Sequence, residues 1–266
     1  MSARPTALFL SPHLDDAVFS CGGTAARLSR CGWRVVVATA FTASVPEPEG
    51  FALACQTDKG IPPETDYMAL RRAEDEKSVS KVGGDPLWLD LPEAPHRGYE
   101  SAHQLFAGTA AGDLAHEELA RLLGELVQGF SPRLIFSPQA LGRHVDHLQM
   151  LGAVRSLQAA HEELQSRVLY YRDTPYAIWE QPARREPTQL IELAIGVERD
   201  LEVKLDACAA YTTQLGFQFG NEDQMRNRLE RFAEKEGWRL DLGVPAEAYL
   251  GTGEVRTFLS RLPDRV

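Results

Sequence analysis

At 266 residues, with 44% hydrophobic side chains, the chain is long enough to bury a sizeable core without help from disulfides or oligomerisation. Its 28 basic and 38 acidic residues give a formal net charge of -10, so a polyanion such as nucleic acid finds no electrostatic attraction here. No apolar run approaches the roughly 18 residues of a membrane span, and Met1 to Pro5 is too short for a signal sequence. Cys21, Cys31, Cys55 and Cys208 lack paired C-x-x-C spacing, so the expectation is a cytoplasmic protein with free thiols.

The predicted elements begin with 6–11, a nearly unbroken apolar run that reads as a parallel strand covered on both faces. Directly after it stands Ser11-Pro12-His13-Leu14-Asp15-Asp16, then a helical pattern over 17–30 with Val18, Cys21, Ala25 and Leu28 on one face. Gly32 ends that helix, and 33–41 is a second apolar strand, completing a β-α-β unit with a right-handed crossover. Pro46, Pro48, Pro62 and Pro63 mark 42–66 as a long irregular loop. A charged helix over 67–82 and a strand over 85–91 follow, and Arg71 and Arg72 read most simply as part of a solvated helix face.

The stretch 92–112 reads as loop, with His96 and His103 in it; Asp113 caps a helix to about 128; and 133–137 is a fourth strand. That strand delivers a second cluster, His144-Val145-Asp146-His147, which leads into a helix to about 165. Beyond it come a strand at 168–171, an aromatic, proline-bearing rim segment at 174–187, a strand at 190–195, a helix at 198–210 and an exposed charged helix at 221–236. There is no internal repeat and no clean linker. The expectation is one α/β domain over 1–266, Rossmann-like, its mostly parallel sheet flanked by helices and its long loops at the carboxyl edge.

In such a sheet the ends of parallel strands carry the chemistry. The two clusters both follow apolar strands, so both emerge at one edge, and imidazoles and carboxylates converge there. His13, Asp16 and His147 form a two-histidine, one-carboxylate set suited to zinc, although iron, cobalt or manganese use the same donors. Asp15 beside the metal is placed to take a proton from water. His144 is placed to donate to a leaving amine or to stabilise an oxyanion, and Asp146 to orient a histidine. Taken alone, Asp15 or Asp16 could equally be an ordinary helix cap. His96, His103, His116 and His161 lack any such setting and read as surface residues.

Pro12-His13-Leu14-Asp15-Asp16 together with His144-Val145-Asp146-His147 resembles the PIG-L or LmbE-like deacetylases. Gly22-Gly23, Arg71-Arg72-Ala73-Glu74 and Tyr211-Thr212-Thr213-Gln214 extend the likeness over about 6–215. The resemblance implies a zinc-dependent N-deacetylase acting on an N-acetylglucosaminyl group or related amide in a small amino-sugar or glycoside substrate. It implies His13, Asp16 and His147 as zinc ligands, Asp15 as general base, and His144 as general acid or transition-state stabiliser. Arg71 and Arg143 are the candidates for contacting substrate. Leu14 stands where the family usually has proline and Ala17 where it has glutamate, so the chemistry transfers more readily than the substrate. The competing readings are an amidase for a larger thiol-sugar conjugate or natural-product intermediate, and a non-catalytic sugar- or nucleotide-binding module. The module reading is weakened by the missing G-x-G-x-x-G loop after the first strand.

Overall fold

The computed structural model describes residues 4–179 and 190–259. Its strands are β1 (Thr6–Ser11), β2 (Arg34–Phe41), β3 (Asp85–Leu91), β4 (Leu134–Pro138), β5 (Val168–Tyr171), β6 (Ile191–Gly196) and β7 (Ala246–Gly251). The helices are α1 (Asp16–Arg30), α2 (Gly50–Thr57), α3 (Tyr67–Lys81), α4 (Ala102–Phe106), α5 (Ala115–Phe130) and α6 (Val145–Ala160), followed by α7 (Tyr176–Trp179), α8 (Leu201–Cys208), α9 (Thr212–Gln218), α10 (Glu222–Arg239) and α11 (Gly253–Leu259). The strands join one sheet in the order β3-β2-β1-β4-β5-β7-β6. Pairing is parallel from β3 through β5, and β7 runs antiparallel to both β5 and β6. The sheet is therefore mixed, with β7 as a strand that sequence patterning passed over.

Every residue of β1 is buried, because alternate side chains enter two different cores. Ala7 and Phe9 join α1, α8 and α10 on one face, where Phe9 stacks on Phe136 with ring centroids 4.2 Å apart. Leu8 and Leu10 join α5 and α6 on the other. The chain leaves β1 to build β2 on one side, and later returns to place β4 on the other. The helices that follow these two central strands consequently diverge to opposite faces, and a crevice opens between them at the strands' carboxyl ends.

α1 is not continuous. Cys21 departs from helical geometry (φ -140°, ψ 26°), which frees backbone groups on either side of it. Glu247 of β7 accepts from Gly23 N at 3.0 Å and Thr24 N at 2.8 Å, so it caps the second half of the helix. Lys204 of α8 lies 2.7 Å from the same carboxylate and 3.4 Å from the Ser20 carbonyl. Both charged residues are buried. Glu247→Ala would leave the ammonium unpaired and the two amides unmet, and we expect a loss of about 3–5 kcal/mol on urea unfolding. A loss below about 1 kcal/mol would show that the break closes without it.

Several expected boundaries move. The proline-rich stretch 42–66 contains α2, and 92–112 contains a 3-10 turn at Ala94–Arg97 and the short α4. α6 stops at Ala160, with a 3-10 turn at Glu162–Leu164, rather than running to 165. α5 begins at Ala115, with Asp113 accepting from its amide at 3.2 Å. α10 is not simply exposed, since Met225, Leu229 and Ala233 lie in the core and Glu236 is buried against Arg172. Of the rim segment, Thr174 and Ala177 are buried and Trp179 is exposed, while 180–187 lies outside the described residues. No described helix is long and apolar enough to cross a membrane.

Candidate active site

The turn after β1 is shaped by its own polar groups. Ser11 Oγ donates to the His13 carbonyl at 2.6 Å and accepts from Ala17 N at 3.0 Å, so the serine, not an aspartate, meets the free amide at the start of α1. Asp16 instead accepts from His13 N at 2.8 Å. Neither Asp15 nor Asp16 is spent as an ordinary helix cap, and both carboxylates are buried at the floor of the crevice.

The second cluster is delivered by a strained turn. Between β4 and α6 the backbone takes left-handed values at Ala140 (φ 59°), Gly142 (φ 74°) and Arg143 (φ 62°). A side chain at Gly142 would lie 2.4 Å from the Tyr176 ring, so glycine is needed there on two counts. His144 is the residue capping α6, and its Nδ1 accepts from Asp146 N at 3.2 Å.

Across the crevice the parts meet. His13, His144 and His147 each offer a ring nitrogen, all within 4.8 Å of one another. Asp16 Oδ2 lies 3.3 Å from His13 Nδ1 and 3.3 Å from His147 Nε2. The far nitrogens are held by carboxylates: Asp146 Oδ2 is 2.9 Å from His13 Nε2, and Asp173 Oδ1 is 2.7 Å from His147 Nδ1. Carboxylates behind metal-binding histidines fix ring orientation and tautomer in this manner. Asp146 is itself steadied by Ala94 N at 3.2 Å and by Arg97, whose guanidinium nitrogen lies 2.8 Å from Oδ1 without hydrogen-bond alignment.

These donors fit a divalent cation. His147 Nε2 is buried and has no hydrogen-bond partner, although the Asp16 carboxylate sits 3.3 Å away out of line. An orphaned lone pair beside a carboxylate is what an ion between them would satisfy. The local field agrees: burial works against charge on His147, yet Asp16 and Asp173 outweigh it and lift the imidazole to about 9. Burial likewise opposes charge on His13, and Asp146 and Asp16 carry its pKa well above the ordinary value. A site that favours positive charge on two facing imidazoles favours a metal in place of their protons.

Asp15 and His144 diverge from this pattern in opposite senses. Burial, followed by the adjacent Asp16 carboxylate, pushes Asp15 up to about 7 against the pull of Arg71. Gln218 Nε2 donates to Asp15 Oδ2 at 3.0 Å, and Arg71 Nη2 stands 3.7 Å from the same oxygen. Burial and the neighbouring His13 push His144 down to about 3, so it is a neutral imidazole at physiological pH.

Arg71 is not on a solvated face: it is 5% exposed, paired with Glu93 at 2.6 Å, and points at Asp15. Arg72 is half-buried and donates to the Thr42 carbonyl and to Ser44 Oγ. Arg143 is exposed beside the cluster. His103 and His161 are exposed as expected, while His96 and His116 are half-buried, and His116 is engaged by Gln149. Sequence reading missed Asp173, Glu93, Arg97 and Gln218. Asp173 carried a usable signal, since it follows strand β5 as the other two clusters follow β1 and β4. Its second oxygen accepts from Leu141 N at 3.1 Å, tying the strained turn to His147. Asp173→Asn should therefore weaken metal affinity by about 10- to 100-fold, read by competition with a chelating dye. Unchanged affinity would leave Asp173 as a purely structural residue.

The fold and these side chains define an α/β protein with a buried, cation-favouring His-Asp centre at the switch between β1 and β4. A family model described as "PIG-L: GlcNAc-PI de-N-acetylase" matches residues 8–158. The chain is 30% identical over 176 residues, 65% of its length, to 2'-N-acetylparomamine deacetylase of Streptomyces fradiae, and spans 58% of that relative. The A40926 pseudoaglycone deacetylase superposes with a TM-score of 0.76 at 25% identity, covering 94% of this chain and 97% of that one. A deacetylase of the teicoplanin biosynthesis pathway superposes with a TM-score of 0.79 at 24% identity, covering 92% and 96%. The chain belongs to the PIG-L family.

Proposed function

We propose that this protein is a metal-dependent N-deacetylase that releases acetate from an acetamido group on a small amino sugar or glycoside. The observation that carries the reading is the pairing of a cation-favouring triad with a separate buried carboxylate, Asp15, which is held by Gln218 and faced by Arg71. His13, Asp16 and His147 would hold the divalent ion, zinc being the natural choice for this donor set. When bound, the ion supplies Lewis-acid polarisation and makes water acidic enough to attack at neutral pH.

The remaining steps belong to the chain. Asp15 takes the proton from the attacking water and returns it to the departing amine nitrogen. His144 does not serve as the acid in this scheme. Its Nδ1 is occupied by the Asp146 amide, so the neutral ring carries its hydrogen on Nε2 and donates it to the carbonyl oxygen as negative charge builds there. Asp146 acts through His13, holding the ring by its far nitrogen. Arg71, paired with Glu93, sits behind Asp15 and orients it.

The test is acetate release by zinc-loaded protein from N-acetylglucosamine, its glycosides and 2'-N-acetylparomamine. No acetate from any of these while the metal is bound would defeat the proposal and favour a binding module. A glycoside with a bulky aglycone is the better substrate on this reading. Phe106 is 43% exposed with its ring 5.3 Å from the His144 ring, and Phe217, next to Gln218, is 77% exposed. Exposed aromatic faces beside a reaction centre suit the apolar side of a second ring. The glycoside should exceed the free sugar in kcat/KM by about tenfold, the order one apolar group contributes in a pocket, and Phe106→Ala should erase most of that advantage. Equal kcat/KM values would assign the aromatics no part in specificity.

A further inference from the structure

Tyr176 opens α7 and stands against the turn that delivers the second histidine cluster. Its ring centroid lies 5.6 Å from that of His147, at an interplanar angle of 87°, and 6.2 Å from that of Phe106, the residue flanking His144. Gly142 of the strained turn lies against the ring and leaves no room there for a side chain. The backbone on either side is tied down. Ser20 Oγ accepts from Thr174 N at 3.0 Å, and the fully buried Ala177 donates its N–H to the Asp173 carbonyl at 2.8 Å. Asp173 thus holds His147 through its side chain and sets Tyr176 beside that ring through its main chain.

The ring is packed, and the hydroxyl is left over. The chain has seven tyrosines, and every other one has a protein partner for its oxygen, such as the Leu10 carbonyl for Tyr171 at 2.9 Å and the Asp75 carboxylate for Tyr211 at 2.8 Å. Among the described residues nothing hydrogen-bonds the Tyr176 hydroxyl, and the residue is half-buried, with that oxygen still open to solvent. Burial, followed by the charges of Asp16, Asp15, Asp173 and Asp146, pushes the phenol far above its usual pKa, so it is a neutral O–H within the field of the carboxylates that line the crevice. Tyrosines packed in this way ordinarily find a partner for that group, so an unmatched one beside a reaction centre is available to a ligand.

We infer that the Tyr176 hydroxyl donates to a substrate hydroxyl on the carbon adjoining the acetamide-bearing one, and so selects vicinal acetamido alcohols, the unit that an N-acetylated 2-amino sugar presents. The inference rests on the deacetylase reading above. In that reading His144 takes the acetyl carbonyl and Asp15 the water, which leaves the substituents next to nitrogen for a donor standing one aromatic ring away from His147. The four carboxylates repel an anionic substituent at that place, whereas an uncharged hydroxyl accepts from the phenol without opposing them. A donor that meets the substrate outside the reacting amide binds ground state and transition state alike, so its contribution falls on KM.

The experiment compares kcat and KM of zinc-loaded wild type and Tyr176→Phe. The two substrates are the p-nitrophenyl glycoside of N-acetylglucosamine and its 3-deoxy analogue, which lacks the hydroxyl beside the acetamide, and metal content is measured alongside. Phenylalanine keeps the ring over Gly142 and removes one oxygen. It should raise KM for the parent glycoside by about 3- to 10-fold, the worth of one neutral hydrogen bond, with kcat held within about twofold. The 3-deoxy analogue should lose less than about twofold in kcat/KM, because the contact is already absent from its complex with wild type. Equal losses on the two substrates would overturn the inference and put the hydroxyl on the acetyl group instead; no loss on either would overturn it and leave Tyr176 as packing over the strained turn. Wild type that holds zinc and cleaves neither compound would defeat the deacetylase reading itself, an outcome distinct from the other two.

Discussion

Asp15→Asn is expected to lower kcat by about 10²- to 10⁴-fold with the metal still bound, the range general-base removal usually spans. Asparagine keeps the shape and the contact with Gln218 but cannot hold a proton, whereas the triad does not use Asp15. Elemental analysis alongside turnover separates the two effects: loss of metal together with activity would move Asp15 into the ligand set, and turnover within a few-fold of wild type would remove it from the chemistry. The same variant carries a stability signature. In the metal-free protein the Asp15 pKa is raised to about 7 by burial and by Asp16. A carboxyl whose folded pKa lies above its unfolded value contributes stability below the unfolded pKa, and that contribution is lost as pH rises through the folded one. Metal-free Asp15→Asn should therefore melt above wild type at pH 8, with the gap closing as pH falls towards 4. A gap that widened on acidification would contradict the burial argument.

His147→Ala is the second large effect. It removes the ring whose Nε2 is orphaned beside Asp16, and it strips Asp173 of its partner at 2.7 Å. Metal content should fall from about one equivalent to near zero, and kcat/KM by at least about 10³-fold, the loss of several kcal/mol of charge stabilisation. Zinc added back should restore little. Wild type treated with a chelator should lose activity to the same extent and regain it on adding zinc, because its ligands remain. A variant that kept its metal would shift the ligand set towards His13, His144 and Asp16.

Much of this arrangement was legible in the chain. The apolar runs before His13 and before the His144 cluster are strands buried on both faces, and such strands announce themselves by hydrophobicity alone. Once both were placed in a parallel sheet, convergence of the two clusters followed from topology. Less legible was whatever depends on partners far apart in sequence. Arg71 looks like one charge among many on α3, and only the fold shows Glu93 and Asp15 closing on it. Gln218 lies 203 positions from Asp15, and glutamine has no spacing rule that marks it. Strand β7 was missed because Ala246–Gly251 includes a glutamate, and that glutamate, Glu247, is buried for a reason set by α1 and α8. α10 read as exposed because charge dominates its composition, yet three apolar side chains on one stripe suffice to seat it.

The break in α1 bears on how far this domain can be trimmed or recombined. The family match ends at residue 158, but the helix that begins at Asp16 is completed by Glu247. Asp173 and Gln218, both past that limit, touch the centre directly. The stretch that bears the two His-Asp clusters is thus not a portable cassette. A fragment ending after α6, or a chimera that borrows its last hundred residues from a relative, would inherit both His-Asp clusters and still lack the groups that hold them in register. Swaps intended to change substrate preference have to carry α9 with α3, and β7 with α1.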